Sequence, residues 1–213
     1  MAEFANAGAG GLVADLAKVI VDNKAYLSEI DGKIGDGDHG VNMAKGFGRS
    51  AERLTGEESL SDAFSLLSDV LMSEIGGSMG PLYGMMFSGM AEAIEDEDMI
   101  DADVFGAMLQ NGLDEVMDIG SAKLGDKTLL DAYIPAVAAY KAALADGGTM
   151  PAALDALCSA AQAGRDSTID MVAKVGRSAR LGDRSRGVLD AGATSCSLIL
   201  CSLADGVKQR LQG

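Results

Sequence analysis

Apolar side chains recur at i, i+3, i+4 and i+7 along nearly the whole chain, as in Leu12, Leu16, Val19 and Ile20 or in Phe64, Leu67 and Leu71. That period gathers them on one face of a helix, whereas a strand would alternate every second residue. Strict alternation and β-branched runs are nearly absent. Ala, Leu, Met and Glu add helical propensity, and only three prolines interrupt it. The pattern predicts helices over residues 9–29, 40–54, 61–75, 82–95, 101–118, 128–145, 151–172 and 192–210. Ser61 and Asp101 are placed to cap two of them, each offering a side-chain oxygen to an orphan N–H. Eight helices of this length pack as an antiparallel bundle or a closed helical barrel, so the expected class is all-α, with one domain over residues 1–213.

Composition narrows the function. The 213 residues include 17 Lys+Arg against 32 Asp+Glu, a formal charge of −15. A general nucleic-acid binder or an anionic-membrane binder needs a basic face, so neither fits. Cys158, Cys196 and Cys201 form no C-x-x-C pair and lie in apolar helical patterns. They read as reduced, buried thiols of a cytoplasmic protein, and a zinc site is not indicated. The stretch "MAEFANAGAGG" lacks the basic and apolar regions of a signal peptide, and no 18-residue apolar run follows, so neither export nor membrane insertion is expected.

The chemistry concentrates in "EIDGKIGDGDHGVNMAKGF". Asp31, Asp36 and Asp38 stand at i, i+5 and i+7, and Gly32, Gly35, Gly37 and Gly40 allow backbone conformations that turn all three carboxylates toward one point. Three crowded negative charges need a cation among them, and oxygen-only ligation selects a hard ion, Mg²⁺ or Ca²⁺. The spacing excludes an EF-hand, whose terminal glutamate is missing. The helix that begins at "HGVNM" offers unpaired N–H groups to an anion such as phosphate. Carboxylates, metal and helix N-terminus together point to a metal-bound nucleotide, against the plainer reading of a solvated acidic turn. His39 reads as an orienting hydrogen-bonder or helix cap in preference to a nucleophile.

Two further segments bear on this site. "SEIGGSMGPLYG" is a glycine turn between helices, with Pro81 suited to the first helical position and backbone N–H groups able to cradle phosphate. No P-loop signature occurs in the chain. Lys174, Arg177, Arg180, Arg184 and Arg186 lie within thirteen positions, interspersed with Gly176, Ser178, Gly182 and Gly187. A mobile lid over phosphate is the sharper reading, and a surface loop paired with neighbouring acids the plainer one. In "KLGDKTLLDAYIP", capping by Asp126 or Thr128 is a sufficient account.

Taken in order, "GDGDHGVNM", "GGSMGPLYG", "GDKTLLD", "GRSARLGDRSRG" and "DAGATS" resemble the L subunit, or L domain, of dihydroxyacetone kinases over nearly the whole chain. Related fatty-acid kinase proteins carry threonine where His39 stands. The resemblance implies an eight-helix barrel with ADP or ATP at one end, held through two Mg²⁺ ions on Asp31, Asp36 and Asp38. It carries nucleotide contacts over to His39, Gly40, Val41, Asn42, Ser78, Met79, Gly120, Thr128, Leu129, Arg177, Asp190 and Gly192, with Arg177 also the catalytic residue. It further implies a separate K subunit that holds a short ketose, dihydroxyacetone or a tetrulose such as erythrulose, without which this chain phosphorylates no sugar.

Two positions depart from the family pattern. Met79 stands where a phosphate-binding serine is usual, and "DAG" replaces D-P-G at the end of the lid. Phosphoryl supply in this family is either direct, from exchangeable ATP, or through retained ADP recharged by a histidine phosphoprotein of the phosphotransferase system. A looser lid end favours exchange. The alternative function is a nucleotide-state-dependent binding or regulatory module, or a fatty-acid-kinase-like nucleotide domain.

Overall fold

The computed structural model describes residues 2–212. Nine α-helices occur among them: α1 (Gly11–Asp22), α2 (Lys24–Ile34), α3 (His39–Ala51), α4 (Leu60–Glu74), α5 (Met79–Glu92), α6 (Ala102–Ile119), α7 (Leu130–Ala145), α8 (Met150–Ser167) and α9 (Ala191–Arg210). Eight of these close a ring, each packing on the next in the order α1, α3, α4, α5, α6, α7, α8, α9 and back to α1. The remaining helix, α2, rests on α3 and α9. The all-α barrel is therefore the observed architecture. Its only strands among the described residues are β1 (Phe4–Ala5) and β2 (Met99–Ile100), which pair antiparallel with Phe4 opposite Ile100.

The inward stripes meet in one continuous core. Phe64 stacks on Phe87 with ring centroids 5.5 Å apart, and Phe47 meets Phe87 edge-on at 5.8 Å. Tyr133 and Tyr140 are fully buried, and their hydroxyls donate to the carbonyls of Leu109 and Ala102 at 3.0 and 2.9 Å. Each such ring contributes area burial without leaving a polar atom unpaired. No helix among the described residues is long and apolar enough to cross a membrane.

Five expectations are corrected. The helix expected over 9–29 is two, broken at Asn23, whose side-chain amide donates to the Val19 carbonyl at 2.8 Å and so competes with the helical ladder. The cap of α4 is Ser59, which accepts from Asp62 N–H, while Ser61 is buried against Asn6; Asp101 caps α6 as expected. Helix α5 starts at Met79, which moves Pro81 to the third helical position. Cys158 and Cys201 are not separate thiols: α8 and α9 pack face to face and bring their Cα atoms to 4.8 Å, where the two form a disulfide, and Cys196 alone is free. Helix α8 also ends earlier than expected, at Ser167, and gives way to a 3₁₀ turn at Thr168–Asp170.

Candidate functional site

The aspartate loop joins α2 to α3. Asp31 lies in the last turn of α2, and Asp36 and Asp38 lie in the connection, so that one carboxylate oxygen of each is within 4.8 Å of the others. Gly37 takes φ +78°, which turns the chain back, and a Cβ on Gly35 would lie 2.2 Å from Asp31 Oδ1. A Cβ on Gly40 would lie 2.1 Å from the Lys24 carbonyl, so only glycine lets the first turn of α3 press against α2. Asp38 occupies the N-cap position of α3 yet caps no N–H, while Asp31 Oδ2 accepts from His39 N–H at 3.3 Å. The three carboxylates converge as a hard-oxygen donor set that suits Mg²⁺. Arg177 reaches across from the basic segment and forms an ion pair with Asp36.

Behind the loop, His39 is buried and its Nε2 lies 2.9 Å from Ser195 Oγ on α9. Ser195 Oγ is in turn 2.6 Å from the Tyr83 hydroxyl, which is also within 3.0 Å of the Gly192 carbonyl. Burial pushes the imidazole pKa down to about 4, against the opposing pull of Asp31. The ring is therefore neutral at physiological pH and ties α3, α5 and α9 together at this end of the barrel.

A cavity of about 480 Å³ opens between these elements. Asp31 and His39 line one side, Ser78 and Met79 another, and Gly120, Thr128 and Leu129 a third. Arg177, Asp190 and Gly192 complete its wall. Gly40, Val41 and Asn42 do not line it: they lie in the first turn of α3, with Gly40 packed on α2 and Val41 exposed. Asp36 and Asp38 are exposed beside it. The Ser78 side chain caps no N–H of α5, which leaves its hydroxyl available, while Met79 packs against the core. Asp190 caps α9 by accepting from Ala193 N–H at 2.7 Å, and burial raises its carboxyl to about 7 despite that bond and the nearby Lys127 charge.

Residues 178–185 form two 3₁₀ pieces kinked at Gly182, where φ is +54°. The capping expected of Asp126 and Thr128 divides among three residues. Asp131 accepts from Gly125 and Thr128 N–H groups, Thr128 Oγ1 accepts from Leu130 N–H, and Asp126 pairs with Lys174 at 3.2 Å. Sequence reasoning missed Lys127, Tyr83 and Ser195. Lys127 stands inside "GDKTLLD", Tyr83 inside "GGSMGPLYG" and Ser195 closes "DAGATS", so the motifs contained all three, but no periodicity marks Tyr83 or Ser195 as different from core.

The DAK2 domain family model matches residues 33–205. The chain belongs to the DAK2 domain family. This DAK2 domain is 36% identical over 186 residues to the ADP-binding subunit of the PEP-dependent dihydroxyacetone kinase of Escherichia coli K12, covering 86% of this chain and 89% of that subunit. It is 36% identical over 191 residues to the ADP-binding subunit of the PTS-dependent dihydroxyacetone kinase of Lactococcus lactis, covering 88% and 91%. Its fold matches the crystal structure of the C. freundii dihydroxyacetone kinase in complex with AMP-PNP and Mg²⁺ at a TM-score of 0.68 and 26% identity, over 92% of this chain and 33% of that one. The DAK2 domain is thus similar both to separate subunits of its own length and to one part of a longer kinase.

Proposed function

We propose that this chain is the nucleotide-bearing, phosphoryl-donating subunit of a two-component dihydroxyacetone or related short-ketose kinase, and that a separate K subunit holds the ketose. The observation that carries this reading is the convergence of three carboxylates beside a cavity lined by Ser78, Thr128, Asp190 and Arg177. In this reading Asp31, Asp36 and Asp38 hold Mg²⁺, two ions in all, and the cation supplies charge neutralisation for the phosphates.

The chain's own residues do the rest. Ser78 and the N–H groups at the start of α5 hold phosphate oxygens where Met79 contributes none. Leu129 and Met79 offer apolar surface to the base, and Gly120 and Gly192 let it approach the backbone. The first turn of α3, from His39 to Asn42, contributes N–H groups and the helix dipole to the anion. Neutral His39, fixed by Ser195, acts as an orienting group. Arg177 swings from Asp36 to the transferring phosphoryl group and stabilises its developing charge. Without the K subunit there is no acceptor hydroxyl and no sugar phosphorylation.

For phosphoryl supply, exchangeable ATP is the reading favoured by Ala191, which takes the first position of α9 where a proline would stiffen the return from the lid. The second reading, ADP retained and recharged by a phosphotransferase-system histidine phosphoprotein, is favoured by the names of the PEP-dependent and PTS-dependent relatives. Denaturing extraction of freshly purified protein, with nucleotide identification and a labelled-ATP exchange assay, separates them. Freely exchanging sites support the first reading, stoichiometric ADP that resists exchange supports the second, and absence of any Mg²⁺-dependent nucleotide binding overturns both.

A further inference from the structure

Lys127 is the one non-glycine residue with positive φ among the described residues, at +65°. That left-handed conformation costs an ordinary side chain free energy and persists only where the surroundings over-determine it. Asp131 does so here: its two carboxylate oxygens accept from Gly125 N–H at 2.5 Å and Thr128 N–H at 2.7 Å, gripping the chain on both sides of Lys127. The twist sends the Lys127 side chain inward, where the residue is only 2% exposed.

An ammonium has three N–H donors and accepts nothing. Lys127 Nζ meets three backbone carbonyls, those of Thr168 at 2.5 Å, Val188 at 2.6 Å and Met171 at 3.4 Å. Thr168 and Met171 lie where the chain leaves α8 for the basic segment, and Val188 lies where it returns toward α9. One charge therefore joins the departing and returning strands of the segment that carries Arg177. Other bonds converge on the same root: Thr168 Oγ1 accepts from Asp190 N–H at 2.9 Å, and the Asp126 carbonyl accepts from Lys174 N–H at 3.1 Å. Lys127 and the next two residues, Thr128 and Leu129, line the cavity.

We propose that Lys127 is a positioning residue that pins both roots of the arginine-bearing lid to the floor of the nucleotide cavity, and so sets where Arg177 stands and how slowly nucleotide leaves. Burial lowers the ammonium pKa, and the charges of Asp190, Asp131 and Asp170 oppose that shift. The carbonyl cage explains why a cation is kept there, since an apolar side chain would leave the Val188 carbonyl without its donor and the Thr168 carbonyl with only the Met171 N–H at 3.2 Å. The proposal rests on the nucleotide-subunit reading for its ligand but not for its lid geometry.

The test uses the full chain with Lys127→Met, and with Lys127→Gly as a second variant that relaxes the left-handed backbone while removing the ammonium. Trypsin cleavage at the exposed Arg180 and Arg184 reports lid opening, and stopped-flow release of a fluorescent Mg·ADP analogue reports residence. Both variants should be cut about tenfold faster and release nucleotide about tenfold faster than the parent. In an Arg177→Ala background, Lys127→Met should speed release little further, because both act through one group. Unchanged cleavage and release in folded variants would overturn the proposal, as would release effects that simply multiply. Loss of folding in both variants would also overturn it, since freeing the lid roots leaves the eight-helix ring packed. A parent chain that binds no Mg·ADP would sink the functional reading, while the cleavage comparison would still decide the role of Lys127.

Discussion

The guanidinium of Arg177 forms an ion pair with Asp36, joining the basic segment to the aspartate loop across the mouth of the cavity. The two side chains are 64% and 40% exposed. An exposed pair of this kind contributes at most about 1 kcal/mol, so it yields readily to a stronger partner. Arginine and metal then compete for one carboxylate.

Arg177→Ala therefore has effects of opposite sign. Affinity for Mg²⁺ in the absence of nucleotide should rise up to about fivefold, because Asp36 loses its competitor. Phosphoryl transfer with the K subunit should fall about a hundredfold or more. Metal titration by calorimetry and a coupled kinase assay measure the two, and parallel losses in both would show that the ion pair does not compete with metal.

Asp31→Asn keeps an amide oxygen to accept the His39 N–H while removing one of three charges. The variant should melt near the parent temperature in EDTA and lose the upward shift that Mg·ADP gives the parent. For a chain of this size that shift is about 5–10 °C at a hundredfold excess over Kd. Thermal melts with and without Mg·ADP decide it.

Gly40→Ala places a methyl group against the Lys24 carbonyl and Ser28, at 2.1 and 2.6 Å. Helix α3 must shift, carrying His39 from Asp31. A destabilisation of about 1–3 kcal/mol is expected in denaturant unfolding, with weaker Mg·ADP binding alongside it.

His39 and Asp190 give stability opposite pH slopes. The imidazole, depressed to about 4 by burial, takes up its proton more readily in the unfolded chain, so its contribution is lost as pH falls from 6.5 through 4. The Asp190 carboxyl, raised to about 7 by burial, holds its proton more tightly when folded, so its contribution is present below the unfolded value and is lost as pH rises from about 4 through 7. Asp190→Asn, which retains the cap on Ala193, should gain stability relative to the parent as pH rises through this window. His39→Gln should steepen the loss with rising pH, and urea melts from pH 4 to 8 check both.

Helical periodicity and the Asp and Gly spacing made the barrel and the aspartate loop legible, because both are encoded within a few residues of sequence. The break at Asn23 was not, since its side chain competes with the ladder only through a local bond that no apolar stripe records. The pairing of Cys158 with Cys201 depends on how α8 packs on α9, across 43 residues of sequence. Ser195 and Tyr83 read as ordinary helix positions because their role arises where α5 and α9 meet His39. Lys127 hid behind a cap reading that Thr128 partly satisfies, and its inward turn follows from the bidentate grip of Asp131.

The central claim is that the aspartate triad holds a cation that in turn holds the nucleotide. Isothermal titration of nucleotide-free protein with ADP, with and without Mg²⁺, tests it most directly. One site per chain that appears only with Mg²⁺ and disappears in Asp31→Asn is the predicted result. Binding of equal strength in EDTA, or unchanged in the variant, would contradict it.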